Sequence, residues 1–139
     1  MPEKKTMENA RAARRAGKSP TTQAGEFVHE EIEHVREGKH GARSAKQAIA
    51  IGLSKARRAG IKLPPPPRSA KASTKRSAAA ASRAGRKRTR PSPKRSRAMS
   101  RRLKREPKNT VSTKALSRQA KSAARRRTGT RRRRTTATA

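Results

Sequence analysis

The chain has no cysteine, tryptophan, tyrosine or aspartate, and its single aromatic residue is Phe27. Without cysteine there can be no disulfide, thiolate metal site or thiol nucleophile, which fits a reducing compartment. Without aromatic rings there are no platforms on which the bases of a single strand could stack. Large apolar side chains are scarce too: 25 of the 40 apolar residues are alanine, leaving 15 for a core in 139 residues. An enzyme domain of this length draws on roughly two to three times as many, because a pocket needs walls that exclude water. No apolar run approaches the ~18 residues of a membrane span. The best is Ala48 to Leu53. The N-terminus lacks the apolar stretch of a secretory signal. These absences point to a soluble, cytoplasmic, non-enzymatic protein that needs no cofactor and takes no small-molecule substrate.

Positive charge, by contrast, is abundant: 41 Lys or Arg face 8 Glu, a formal net charge of +33. Residues 1–37 hold seven basic and seven acidic side chains, and residues 38–63 hold seven basic and none acidic. From Pro64 onward there are 27 basic residues, 19 of them Arg, against one acid, Glu106. Such a surface repels itself and calls for a polyanion. Between the two halves stands Pro64-Pro65-Pro66-Pro67, which cannot continue a helix and favours an extended spacer.

Two helices are predicted before that spacer. The first, over 21–37, places Ala24, Val28, Ile32 and Val35 at helical spacing with Phe27 beside them, and carries Glu26, Glu30, Glu31, Glu33 and Glu37 on its other faces. The second, over 45–59, begins with a capping box, Ser44-Ala45-Lys46-Gln47. It shows an apolar stripe of Ile49, Leu53 and Ala56 and ends at Gly60. Ala13-Arg14-Arg15-Ala16-Gly17 repeats Ala56-Arg57-Arg58-Ala59-Gly60, so a short helix over 6–16 is expected to end in the same way. Phe27, Val28, Ile32, Val35, Ile49 and Leu53 form the expected hairpin core. So small a core predicts self-association of hairpins or folding on a partner.

The fold class expected is therefore mainly α with long disorder: a basic N-terminal segment (1–19), a helical hairpin (20–63), a polyproline spacer (64–67) and a basic disordered tail (68–139). High charge of one sign in a Ser-, Thr-, Ala- and Pro-rich setting is the reason for expecting disorder. Residues 96–105 and 112–127 are expected to turn helical only once phosphates screen them.

The block from Ser44 to Gly60, preceded by His40-Gly41, resembles a family of small, very basic bacterial proteins of uncharacterised function. Its core reads Ser-x-Lys-Gln-Ala-Ile-Ala-Ile-x-Leu-Ser-x-Ala-Arg, and members are often described as DNA-binding. The tail resembles the C-terminal domains of linker histones, and Ser92-Pro93-Lys94-Arg95 is similar to the turn that histone tails lay along the minor groove. The family resemblance implies a bacterial source and little more; a nucleoid location is expected from the charge.

The side chains expected to meet phosphates are Arg86, Lys87, Arg88, Arg90, Lys94, Arg95, Arg97, Arg101, Arg102, Lys104, Arg105, Arg118, Lys121, Arg125, Arg126, Arg127, Arg131, Arg132, Arg133 and Arg134. Lys46, Lys55, Arg57 and Arg58 make a secondary basic patch on the second helix. Nothing is expected to read bases: the adenine-reading side chains number only five, Asn9, Gln23, Gln47, Asn109 and Gln119. A metal site is not expected. His29 and His34 are five apart, which sets them about 140° apart around a helix. The function expected is sequence-independent DNA binding by a histone-like protein that coats, bridges or compacts DNA. The alternatives are an RNA- or ribosome-associated protein and an adaptor whose hairpin binds a protein partner.

Overall fold

The computed structural model describes residues 2–137, with side chains for residues 2–129. Six helices follow one another: α1 (Lys4–Arg15), α2 (Pro20–Arg36), α3 (Ala45–Arg58), α4 (Ala72–Lys87), α5 (Pro93–Arg105) and α6 (Thr113–Ala137). The expected disordered tail is thus corrected to three helices. Alanine and glycine, rather than charge, explain the largest departure. Ala78 to Ala81 are the strongest helix formers available, and lysine and arginine are themselves good ones. Their helix, α4, then finds a wall to pack against.

The hairpin of α2 and α3 forms as its end signals dictate. Ser19 caps α2, its hydroxyl accepting the Thr22 amide at 3.3 Å, and Pro20 occupies the first helical position. Ser44 caps α3 by accepting the Gln47 amide at 3.2 Å. The Gln47 carboxamide oxygen reaches back to the amide of Arg43, one residue before the usual capping-box partner. Gly17 and Gly60, which close the two Ala-Arg-Arg-Ala-Gly repeats, lie at φ 72° and 95°. Behind each, the next amide bonds back to Ala13 or Ala56 at 3.0 and 3.1 Å, so the repeat is a repeated way of ending a helix.

Phe27 and Ala24 of α2, Ala10 of α1 and Ala56 of α3 are buried together, with Met7, Leu53, Ile61 and Leu63 packed around them. Near the other end of α2, Val35, Ala42, Ala48 and Val111 form a second cluster with Ile32. Of the six expected core residues Phe27 and Val35 are buried, whereas Val28, Ile32, Ile49 and Leu53 are half-buried. The helices approach closely at Gly52, where a Cβ would lie 2.6 Å from the Cα of Val28.

The second half of the chain is fastened to this hairpin at two places. Helix α4 lies along α3, with Ala81 buried and Gly85 backed onto the carbonyl of Arg57, where any Cβ would collide with backbone. The segment after α5 threads past the α2–α3 loop. There Gly41 and Ala42 donate amides to the carbonyls of Leu103 and Pro107, each at 2.8 Å. The Thr110 hydroxyl donates to the Ala42 carbonyl at 2.7 Å, and Arg36 Nε donates to that of Val111 at 3.3 Å. Much of the covering expected from a second copy thus comes from the chain's own later segments. No described helix is long and apolar enough to cross a membrane.

Candidate nucleic-acid interface

Helix α5 starts where the sequence resembles a histone-tail turn. Ser92 caps it, accepting the Arg95 amide at 3.3 Å, and Pro93 fills its first position. Pro93 has no amide to lose there and its fixed φ suits the helix, so these residues open a helix. Lys94, Arg95, Arg97, Arg101, Arg102, Lys104 and Arg105 are all exposed, and Leu103 is its one buried residue. The helix packs against no other described helix. At ~1.5 Å rise per residue, its 13 residues set seven positive charges along about 20 Å, roughly one per 3 Å. Duplex DNA offers a phosphate for every ~1.7 Å of axis, so the spacing suits several simultaneous contacts.

Arg86 and Lys87 lie exposed in the last turn of α4; Arg88, at φ 52°, closes that helix in the left-handed region, and Arg90 follows in the connection to α5. On α6, Arg118, Lys121, Arg125, Arg126 and Arg127 are exposed. Leu116 and Ala123 are half-buried, whereas Ala120 is exposed. The side chains of Arg131, Arg132, Arg133 and Arg134 lie outside the described residues.

The secondary patch divides in two. Lys46 and Arg58 are exposed. Lys55 pairs with Glu31, and Arg57, buried at 8% exposure, donates Nη2 to the carbonyl of Pro64 at 2.8 Å. Those two charges are committed inside the fold, one to the acidic helix and one to the turn that starts the spacer.

The acidic side chains gather between α1 and α2. Glu3, Glu26, Glu30, Glu33, Glu37, His34 and Lys39 line an open recess between α1 and α2. Glu3 accepts from His34 Nε2 at 3.0 Å and from Lys39 Nζ at 3.4 Å. His34 foremost, then Lys39, holds the Glu3 carboxyl below the usual carboxylate range. Hydrogen bonding to Glu37 raises Lys39 in turn. Sequence spacing sets His29 aside from His34 correctly, since His29 is exposed on α2 and only His34 turns inward. It misses His40, which the Gly38 turn folds back beside the His34 ring, edge to face at 5.8 Å between centroids. The signal available was a histidine on each side of a helix-ending glycine.

Residues 11–67 match the model of a family of unknown function (DUF6496). The match spans the last five residues of α1, all of α2 and α3, and the proline run, and excludes α4 to α6. The Ser44–Gly60 block lies within it. No curated protein and no solved structure matches the chain.

Proposed function

We propose that the protein binds nucleic acid through its phosphates, DNA ahead of RNA, without reading sequence, and that it coats, bridges or compacts DNA as a nucleoid-associated protein of the bacterial cytoplasm. The observation that carries this reading is the build of α5: seven exposed basic side chains, no acid, and no helix packed over them. Helix α6 and the end of α4 carry further exposed basic side chains. Phosphate contact depends on charge density and reach, and α5 has both with no Asn or Gln on it. Arginine dominates, and its planar fork engages phosphate oxygens two at a time. The reading assigns binding and no catalysis to this surface. Bridging further requires two copies, so self-association through the hairpin belongs to the same proposal.

The test is a salt titration of the full chain on duplex DNA, with structured RNA as competitor. With ~10 phosphates engaged, affinity is expected to fall by roughly 10³–10⁵ between 50 and 200 mM salt. Replacing Arg101, Arg102, Lys104 and Arg105 together by Gln should flatten that dependence by about four contacts. A flat salt profile would overturn the proposal. Complete displacement by RNA of equal charge would move the assignment to an RNA- or ribosome-associated role.

A further inference from the structure

Glu31 sits on α2 with its side chain 1% exposed, facing the end of α3 and the loop that joins them. Lys55 Nζ holds one carboxylate oxygen, Oε1. The other, Oε2, is buried without a hydrogen-bond partner. His40 Nε2 lies 3.1 Å from Oε2. The opposite ring nitrogen, Nδ1, lies 2.9 Å from the carbonyl of Gly41. A carbonyl can only accept, so Nδ1 carries the hydrogen, and in the neutral ring Nε2 turns a lone pair toward Glu31. His34 repeats the arrangement in mirror fashion. Its Nε2 donates to the Glu3 carboxylate at 3.0 Å, so Nδ1, 3.9 Å from Glu31 Oε1, is its lone-pair nitrogen. With both rings neutral, three electron-pair donors converge with no hydrogen between them. One such atom from each of Glu31, His34 and His40 lies within 4.8 Å of the other two.

We propose that Glu31, His34 and His40 bind a divalent transition-metal ion, zinc foremost. Two imidazoles and one carboxylate suit zinc, cobalt or nickel and are poor ligands for magnesium or calcium. His40 Nε2 lies 3.1 Å from Oε2 and His34 Nδ1 3.9 Å from Oε1, and the ~3.3 Å edge of a tetrahedral zinc with ~2.05 Å bonds falls within the 4.8 Å limit that one atom from each of the three residues meets. The outer hydrogen bonds are those that orient ligating histidines: a backbone carbonyl behind one ring and a carboxylate behind the other. Lys55, Glu3, Glu30 and Lys39 surround the trio, three carboxylates in all with Glu31 against two ammonium groups, so the surroundings favour a cation. The rings are 14% and 15% exposed, which leaves them a path from solvent. The bound ion would fasten the α2–α3 loop to α2 beside Gly41 and Ala42, where the segment after α5 is docked.

The proposal stands apart from nucleic-acid binding, and its test uses none. The full chain in metal-free buffer is titrated calorimetrically with Zn²⁺, with Mg²⁺ as control, and its visible spectrum is recorded with Co²⁺. One Zn²⁺ per chain, a rise in melting temperature, no response to Mg²⁺ and the intense visible bands of tetrahedral Co²⁺ are expected. His34→Gln and His40→Gln should each weaken binding more than about 100-fold, and Glu3→Gln, which only loosens the His34 ring, about 10-fold. His29→Gln should leave binding unchanged. If a variant loses its helicity, the Co²⁺ spectrum of the unsubstituted chain decides, and a weak octahedral spectrum overturns the site. Undiminished Zn²⁺ affinity in a folded His40→Gln chain overturns it as well.

Discussion

Residues 4–58 and residues 72–137 are both helical, yet they reach that state by different physics. The first stretch carries the largest side chains of the fold's interior, helix caps at α2 and α3, and carboxylates that meet its own Lys39, Lys55 and histidines. The second stretch has mainly alanine, arginine and lysine, and among the described side chains adds only Ala81, Leu103 and Val111 to the buried set. Its helices rest on propensity, on the Ser92 cap of α5 and on close backbone approach. A region that holds acids as well as bases can face inward on several sides; a region of nearly one charge sign keeps its side chains outside and presses its backbone against the neighbour instead.

The contrast breaks most sharply at Phe27. Phe27→Ala empties the joint between α1, α2 and α3 and should cost about 3–5 kcal/mol, removing most helicity of the first stretch in a thermal melt followed by circular dichroism. Helix α5, which leans on no other helix, should be the least affected in hydrogen exchange. Gly85→Ala comes next. Its Cβ would strike the Arg57 carbonyl, a backbone atom that cannot rotate away, so about 2–3 kcal/mol of overpacking should undock α4. Amide exchange should quicken along α4, while the α2–α3 hairpin keeps its protection. The smallest effect sharpens the comparison, because one change can be made in both regions. Ser44→Ala and Ser92→Ala each remove a capping hydroxyl worth about 1 kcal/mol. The first should lower the melting temperature of the whole body, since α3 is its shared wall. The second should fray α5 alone and leave that temperature in place.

The same division governs what could be read from the sequence. Ser44 to Gln47 and Gly60 announce α3 because caps are local chemistry, and the spacing of Ala24, Phe27, Val28, Ile32 and Val35 announces α2 because an apolar stripe is periodic. Helix α4 was hidden. Its stripe is alanine, which hydropathy barely distinguishes from its surroundings, and its decisive residue, Gly85, reads as a helix weakness until the Arg57 carbonyl is seen behind it. The basic surface was legible as composition, but its geometry was not. Lys55 and Arg57 look as available as Lys46 and Arg58 until Glu31 and the Pro64 carbonyl are placed against them. The Glu31–His34–His40 trio escaped for a related reason: its members meet across the turn at Gly38, outside any single helical repeat.

The hydrogen bonds from Gly41 and Ala42 to Leu103 and Pro107 span more than 60 residues of chain. Contacts that distant close last, because the chain between them must first give up its freedom. The contacts among α1, α2, α3 and Leu63, by contrast, are complete within the first 63 residues. Synthesis from the N-terminus delivers first the half that holds seven of the eight Glu. The expected order is a hairpin already shut, its acidic side settled against its own histidines and lysines, when the arginine-rich half emerges. By then few carboxylates are left to capture it.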